Sequence, residues 1–418
     1  MTNRGGTSLI HYSWVILAIC FVNLFLAYGI RTGYGAILPE MIKAMAISRR
    51  QAADIANANV FAYICIAPFA GYLADRLGAR VIISTFGVLL GIGILLMGSA
   101  ADFPQAALFF AIAGIGGAAM WAPVLAVVQE WFVPSKRGMS LGIVSAGCGL
   151  GVATMGRFHP AVVSRWGWQY SWYILGAGAL AMVAINALFL RSRPQDMGVK
   201  PWGDKDPGPR NAAPVYPLEG LKERYGEIFR APRFWAIGVS YAFISGALYL
   251  TVTFMVDHAH STLNLSYGTA SLLTTVHGIG QIPGVILIPW LSDFMGRRPT
   301  IFLSNLVVAA GTTALLLSGP NLALLLLSVS VLGSVFGATF ALYGACAGDY
   351  FRKDLVGSVV GIWTPFHGVG LIIAQGLGGY IRDVTGSFLI PFVGAALCAV
   401  VAAGLILAVK RIPRLTDT

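Results

Sequence analysis

The chain has 418 residues, of which 57% are hydrophobic and only 11% are charged, and its formal net charge is +11. Soluble globular proteins carry roughly 25% charged residues, and disordered chains are poor in hydrophobic residues, so the composition excludes both classes. The basic residues are spread over short loops between apolar segments, which argues against a nucleic-acid-binding face. The 5 cysteines lie in apolar stretches without C-x-x-C spacing, so we expect neither disulfides nor a metal site.

Twelve apolar segments are long enough to cross a bilayer as helices, since each crossing needs about 20 residues. The first segment is too long for the core of a signal peptide, so we predict that it is retained as a membrane helix. The sequence therefore predicts an all-helical integral membrane protein with twelve transmembrane helices. Their approximate limits are 13–37, 51–73, 80–101, 105–130, 138–163, 170–191, 232–256, 268–290, 299–319, 322–348, 356–380 and 388–410.

A polar linker divides the twelve segments into two groups of six. The stretch 192–231 is rich in Pro, Gly and charge, so we predict a six-helix bundle over 1–191, a cytoplasmic linker over 192–231 and a second bundle over 232–418. With the N-terminus in the cytoplasm, the inside segments hold 21 Lys and Arg residues and the outside segments hold 5. This bias predicts a multi-pass protein of the cell membrane with both termini in the cytoplasm.

The two groups of segments repeat each other at a nearly constant offset. GYLADRLGAR at 71–80 corresponds to WLSDFMGRR at 290–298. WFVPSKRGMSLGIVSAGCGLG at 131–151 corresponds to YFRKDLVGSVVGIWTPFHGVG at 350–370, where four glycines align at an offset of 219. The protein is therefore predicted to consist of two six-helix repeats in the same orientation.

These motifs resemble those of the major facilitator superfamily, and the resemblance covers essentially the whole chain. The G-x-x-x-D-R-x-G-x-R pattern after the second segment and its partial copy after the eighth are typical of that family. The 131–151 motif, RPQDMGVKPWGD after the sixth segment and HAHSTLNLS after the seventh are similar to the bacterial monocarboxylate and oxalate/formate transporter group. Relatives often carry an Arg in the eighth segment at the position that is Val285 here. The resemblance implies the major facilitator fold and a transporter of a small organic anion.

The loop motif after the second segment contains candidate residues for a conformational switch. An aspartate at a tight turn can accept hydrogen bonds from N–H groups at a helix start and can pair with a nearby Arg. We therefore predict that the motif latches the two bundles together in the outward-open state, with a plain loop cap as the alternative. The residues of the motif and its copy are Gly71, Asp75, Arg76, Gly78, Arg80, Asp293, Gly296 and Arg297.

Two arginines lie at membrane depth, where a charge is costly and usually faces a cavity or a partner. Arg31 is about 18 residues, or ~27 Å, into the first segment, and Tyr28 and Tyr34 share its face. A cation flanked by two phenols suits a carboxylate, and this position resembles the cation of monocarboxylate transporters; the alternative is that Arg31 reaches the outer headgroups. Arg157, in the fifth segment, is either a second anion ligand or a structural partner of Asp257.

Other polar residues at membrane depth are candidates for lining the same cavity. His277 and Gln281 belong to a polar stripe in an otherwise apolar segment, and hydrogen bonding between helices is the alternative. Asp257 and His258 end the seventh segment near the outer mouth, where they could, together with His277, load and release a proton. A hydrated loop end is the alternative for that pair. The remaining candidate wall residues are Asn59, Tyr63, Trp121, Tyr343 and His367.

The sequence therefore predicts a secondary transporter that moves a small organic anion, most simply a monocarboxylate, by proton-coupled alternating access. An anion exchanger is the main alternative. Two further alternatives are a non-translocating solute sensor and a drug exporter, although a drug exporter would require an acidic residue in the middle of the membrane. The chain has no Walker motif and no catalytic cluster, so we expect neither ATP hydrolysis nor enzymatic activity, and no cofactor. The expected partners are the anion, H+ and the lipid bilayer, without nucleic acid, and we expect a monomer.

Overall fold

The computed structural model describes residues 11–204, 221–351 and 355–409. A short 3-10 turn spans Pro194–Met197, and a π-helical turn spans His258–Thr262. The helices of the described ranges are α1 Tyr12–Met45, α2 Arg49–Leu77, α3 Ala79–Met97, α4 Phe103–Gly117, α5 Ala122–Trp131, α6 Pro134–Trp166, α7 Trp168–Phe189, α8 Leu221–Arg230, α9 Pro232–Asp257, α10 Tyr267–Met295, α11 Arg297–Leu317, α12 Leu322–Tyr350, α13 Val356–Thr385 and α14 Leu389–Leu407.

These helices make twelve membrane crossings in the described part of the chain, because α4 and α5 share one crossing and α8 lies in the linker. The predicted all-helical architecture with twelve crossings is confirmed. Several helices are longer than predicted, since α1 alone has 34 residues and about 20 suffice for the hydrocarbon core. We call the face at which α1 begins the linker face, and the opposite face the distal face.

The fourth crossing is interrupted at Trp121, an interruption that the sequence-based limits did not predict. Helix α4 ends at Gly117, and Trp121 has φ −110° and ψ −79° before α5 begins. Pro123 lies in the first turn of α5, where its missing N–H leaves no intrahelical bond unmade. Non-helical backbone at membrane depth is tolerated where it lines a cavity, and Trp121 lines the cavity described below.

Glycines related by the repeat bring a pair of helices into backbone contact in each half. In the first half, a Cβ on Gly151 of α6 would lie 2.1 Å from the carbonyl oxygen of Phe25 in α1. In the second half, a Cβ on Gly370 of α13 would lie 2.0 Å from the carbonyl oxygen of Ala242 in α9. Because no side chain fits at these distances, only glycine permits this packing.

We expect Gly151→Ala to destabilise the protein, because the added methyl group overlaps the Phe25 carbonyl and forces α6 away from α1. Overpacking of this kind costs about 1–3 kcal/mol, which should lower the midpoint of thermal unfolding in detergent. The control is Gly142→Ala in the same helix, where a Cβ would meet no atom within 4 Å. Equal unfolding midpoints for the two variants would contradict the packing argument.

The two six-helix bundles touch over their distal halves. A Cβ on Gly149 of α6 would lie 2.7 Å from the carbonyl oxygen of Gly278 in α10, which belongs to the other bundle. Asn57 of α2 donates a hydrogen bond of 3.1 Å to the carbonyl of Ile372 in α13. Helices α2 and α6 of the first bundle therefore pack directly on α13 and α10 of the second.

Toward the linker face the same helices diverge. The repeat-related Gly142 of α6 and Gly361 of α13 both face open space, since a Cβ on either would meet no atom within 4 Å. The same holds for Gly71 near the end of α2 and for Gly138 near the start of α6. The structure is therefore closed at the distal face and open toward the linker face.

The described start of the linker is attached to the first bundle. The Trp202 N–H donates to the carbonyl of Trp131 at 2.9 Å, and the Val133 N–H donates to the carbonyl of Trp202 at 3.2 Å. The Trp202 ring also packs edge-on against Trp14, with 5.3 Å between the ring centroids. The middle of the predicted linker, 205–220, lies outside the described residues, and α8 follows it as a helix that the sequence-based prediction did not include.

Candidate functional site

A cavity lies between the two bundles, lined by side chains from α1, α2, α6, α9, α10, α12 and α13 and by Trp121 at the interruption of the fourth crossing. The volume open to the centres of water molecules is about 110 Å³, which is room for several waters or one small organic molecule. The walls are mainly apolar and aromatic. The lining residues are Tyr28, Arg31, Tyr63, Trp121, Ser145, Cys148, Tyr241, Ser245, Leu248, Tyr249, Gln281, Val285, Phe336, Gly337, Thr339, Phe340, Thr364 and His367.

Arg31 brings a cation to this cavity from α1. Its guanidinium carbon lies 4.5 Å from the centroid of the Tyr63 ring, in a cation–π contact. Its Nε is buried and has no hydrogen-bond partner among the described residues. Tyr28, one turn earlier, lines the same cavity and packs against Trp121 with 5.5 Å between ring centroids. Because no described lining residue is an Asp or Glu, the guanidinium has no counter-ion in the cavity wall, and its Nε donor is open to a ligand.

The second bundle presents an imidazole between two phenol rings. The ring of His367 lies 4.8 Å from that of Tyr241 and 5.5 Å from that of Tyr249, measured between centroids. The Tyr241 hydroxyl and the His367 Nδ1 are buried and have no hydrogen-bond partner among the described residues. Both groups line the cavity, so each can bond to a molecule bound there.

Six of the predicted wall residues line the cavity, namely Tyr28, Arg31, Tyr63, Trp121, Gln281 and His367. Two others lie behind the wall and support it. The Tyr343 hydroxyl lies 2.7 Å from the Ser240 hydroxyl and accepts a 3.0 Å hydrogen bond from Asn305. The His277 Nδ1 lies 3.2 Å from the Gln281 side-chain nitrogen, so His277 helps to orient a lining residue without lining the cavity itself.

Tyr34 and Asn59 line a separate, smaller void of about 20 Å³, which also touches Arg31. The Tyr34 hydroxyl donates to the carbonyl of Ala52 at 2.9 Å. The Asn59 side chain donates to the carbonyl of Phe110, also at 2.9 Å. Both polar groups are thus bonded to backbone within the first bundle, away from the central cavity.

Arg157 lies outside the cavity, on an exposed face of α6. Cys148 of the same helix lines the cavity, and the nine residues from Cys148 to Arg157 span about two and a half turns. The two side chains therefore point in opposite directions. The predicted structural partner of Arg157 is engaged elsewhere, since the Asp257 carboxylate binds Arg49. The structure brings Arg157 to neither of its two predicted partners.

A group of charged contacts joins the bundles at the distal face, and we call it the distal gate. Arg49 of α2 forms a bidentate salt bridge with Asp257 of α9, with 2.6 Å from Nε to Oδ2 and 3.2 Å from Nη2 to Oδ1. Asp257 is only 2% exposed. Asp383 of α13 accepts from the backbone N–H groups of Arg49 and Arg50 at 3.0 and 2.8 Å, so it caps α2 from the other bundle. His258, beside Asp257, is buried without a hydrogen-bond partner among the described residues.

The two copies of the loop motif form equivalent turns at the linker face. Gly78, between α2 and α3, has φ +88°, and Gly296, between α10 and α11, has φ +91°. Glycine adopts these values without a steric penalty. Asp293 forms a salt bridge of 2.7 Å with Arg297, whereas the Asp75 side chain is exposed.

The other motif residues make contacts within their own bundles. The Arg76 guanidinium lies 4.8 Å from the centroid of the Tyr72 ring. The backbone N–H of Arg80 donates to the Ser192 hydroxyl at 3.1 Å, and its guanidinium donates to the carbonyl of Ala187. The predicted latch concerns the outward-open state, whereas this structure is open at the linker face, so the latch stays a prediction.

Several lining residues were not predicted from the sequence, and four of them are the aromatic residues Tyr241, Tyr249, Phe336 and Phe340. Tyr241, Ser245 and Tyr249 recur at intervals of four residues in α9, and Phe336 and Phe340 do so in α12. This spacing places each set on one helical face and is visible in the sequence. It did not identify a cavity wall, because aromatic residues at helical spacing are as typical of a packed core as of a binding wall.

Comparison with known proteins agrees with this architecture. The model of the Major Facilitator Superfamily matches residues 20–262 and 241–416. Monocarboxylate transporter 11 of Homo sapiens is 26% identical over 393 residues, which cover 91% of this chain and 79% of that protein. A bacterial homologue of the human lysosomal transporter Spinster, solved inward-facing and unoccupied, has a TM-score of 0.69 at 17% identity, covering 97% of this chain and 96% of its own. The nucleoside transporter NupG has a TM-score of 0.76 at 14% identity, covering 96% and 99%.

Proposed function

The chain belongs to the major facilitator superfamily, a family of membrane transporters, and we propose that it moves a small organic anion, specifically a monocarboxylate. In this proposal the anion binds in the cavity between the bundles and gains access to each face in turn. The excess of Lys and Arg in the segments at the linker face supports placing the protein in the cell membrane with that face toward the cytoplasm.

The observation that carries the proposal is the position of Arg31. A guanidinium in a cavity without a described acidic neighbour attracts an anion and can bind a carboxylate through two parallel hydrogen bonds. The same arrangement disfavours a cationic drug, because a cation would meet like charge and no counter-ion. Relatives named as monocarboxylate transporters, such as the human protein that is 26% identical, support the same class of substrate.

The charge of the cavity favours one carboxylate over two. Arg31 is the one Lys or Arg among the described lining residues, and Val285 of α10 contributes an apolar wall where relatives often carry an Arg. A second carboxylate of a dicarboxylate would therefore be desolvated without a cation to pair with it. This supports a monocarboxylate over a short dicarboxylate such as oxalate.

We further propose that transport is coupled to protons. His367 lines the cavity, and Asp257 and His258 lie side by side at the distal gate, so ionisable groups stand both at the binding site and at its closed end. The carboxyl group of the substrate is a further proton carrier. Exchange of one anion for another is the alternative mechanism.

We expect a purified preparation in liposomes to take up labelled monocarboxylates, and to do so several-fold faster under an inward proton gradient. A panel of labelled monocarboxylates, dicarboxylates and organic cations measures the substrate class, and a protonophore supplies the control for the gradient. Uptake that ignores the gradient but requires anion on the far side would replace symport with exchange. Uptake of cations, with none of any carboxylate, would overturn the proposed substrate class.

A further inference from the structure

We infer that the cavity selects an aryl carboxylate that carries a neutral hydroxyl group at the end of its ring remote from the carboxylate. This inference rests on the proposed function, because it assigns the carboxylate to Arg31. It adds a second recognition point on the opposite bundle, formed by Tyr241 and His367. The three supporting observations are the chemistry of that second point, its separation from Arg31 and the aromatic walls of the cavity.

The second recognition point offers hydrogen bonds without a fixed charge. Tyr241 is only 3% exposed, and its hydroxyl has no partner among the described residues. The neighbouring His367 Nδ1 is likewise buried and without a partner there. A phenol and an imidazole can each donate or accept, so together they match a hydroxyl group, which needs one donor and one acceptor. A second carboxylate or an ammonium group would find no counter-ion at this end.

The backbones of Arg31 and Tyr241 lie at different levels along the two helices. Helices α1 and α9 run in the same direction, and a Cβ on Gly35 would lie 2.8 Å from the carbonyl oxygen of Val252. Arg31 is four residues before Gly35, which places its backbone level with Leu248 and about 11 Å from the level of Tyr241 along the helix axis. A spacer of about one aromatic ring and a short chain is comparable in length with this offset between the two backbone levels.

Aromatic side chains form much of the wall of the cavity that contains the two points. Trp121 packs against Tyr28 of the first bundle and Phe340 of the second, with ring centroids 5.5 and 5.6 Å apart. On the second bundle, Phe336 packs against Tyr249 at 5.0 Å. Rings in these orientations offer faces and edges to a planar ligand ring, for which offset or edge-on stacking is favourable. The walls therefore suit an aryl spacer better than a flexible alkyl chain of the same length.

The test is calorimetric binding to the purified, full-length protein, with 3-(4-hydroxyphenyl)propanoate, 3-phenylpropanoate and lactate as probes. We expect the hydroxylated acid to bind about tenfold more tightly than 3-phenylpropanoate, the gain of about one well-made hydrogen bond, and lactate to bind more weakly than both. Tyr241→Phe removes one hydroxyl and keeps the ring, so it should abolish the tenfold preference and leave the affinity for 3-phenylpropanoate unchanged.

The matched control is Tyr343→Phe, because the Tyr343 hydroxyl is already bonded to Ser240 and Asn305 outside the cavity. This variant should retain the tenfold preference. Equal binding of the two aryl acids by the unmodified protein, or equal weakening of both by Tyr241→Phe, would overturn the inference and leave the proposed function intact. If no probe binds and liposomes take up no carboxylate, the proposed function itself fails.

Discussion

Replacing Arg31 with Gln should abolish carboxylate transport while leaving the protein folded in the membrane. The guanidinium is the fixed cation of the cavity in the described chain, and its loss removes both the charge and the paired donors that a carboxylate needs. We expect affinity to fall by ~100-fold or more, the usual effect of truncating one partner of a desolvated charge pair. Arg31→Lys keeps the charge but loses the planar fork, so it should weaken binding by about tenfold.

The matched control for Arg31 is Arg157→Gln, which neutralises an exposed arginine on the outward face of α6. Uptake in liposomes gives KM and maximal rate for each variant, and size-exclusion chromatography with thermal unfolding reports folding. Near-normal affinity of the Arg31→Gln variant would contradict the assignment. If that variant does not fold, the more conservative Arg31→Lys variant still measures whether substrate affinity depends on the guanidinium.

Asp257→Asn should open the distal gate. The substitution leaves Arg49, which is 20% exposed, without the carboxylate that now binds it through two hydrogen bonds. The cost to the closed state is about 2 kcal/mol, between the values for exposed and for fully buried pairs. That corresponds to a shift of roughly 30-fold in the equilibrium between closed and open distal faces. Spin labels at positions 44 and 262, both exposed on opposite bundles at the distal face, should report a longer distance.

The control for the gate is Asp54→Asn, which breaks the salt bridge of 2.8 Å between Arg50 and Asp54 within α2. Because that salt bridge lies within the first bundle, the distance between the spin labels should not change. The double variant Arg49→Gln and Asp257→Asn should cost less than the two single variants added together, because each single change leaves the other group unpaired. An unchanged distance in the Asp257→Asn variant would show that the salt bridge does not hold the gate closed.

The fold was predictable because it depends on local properties of the chain. Apolar segments of bilayer length and a repeat in sequence are sufficient to predict twelve crossings in two equivalent sets. The position of Arg31 in a cavity wall was also predictable, since the cost of a charge at membrane depth applies whatever the neighbouring helices are.

Facts that depend on contacts between distant segments were not predictable. The partner of Asp257 is Arg49, 208 positions away and in the other bundle, and nothing in the local sequence pairs them. The free-energy cost of a charge at membrane depth applies to Arg157 as it does to Arg31. The direction in which the Arg157 side chain points, however, depends on which face of α6 packs inward. A single sequence does not fix that rotation, because α6 is rich in glycine and its apolar residues are spread around the helix.

In the proposed transport cycle, the uncompensated charge of Arg31 predicts that the conformational change depends on the membrane potential. With the distal gate closed and the linker face open, most of the membrane potential would fall between Arg31 and the distal face. With the distal face open instead, most of it would fall between Arg31 and the linker face. One elementary charge crossing 100 mV changes free energy by about 2.3 kcal/mol. A bound monocarboxylate alone would cancel this charge, so voltage would act on the empty protein and not on the form that holds only the anion. A proton carried with the anion restores one positive charge, and the complete cycle then generates no current.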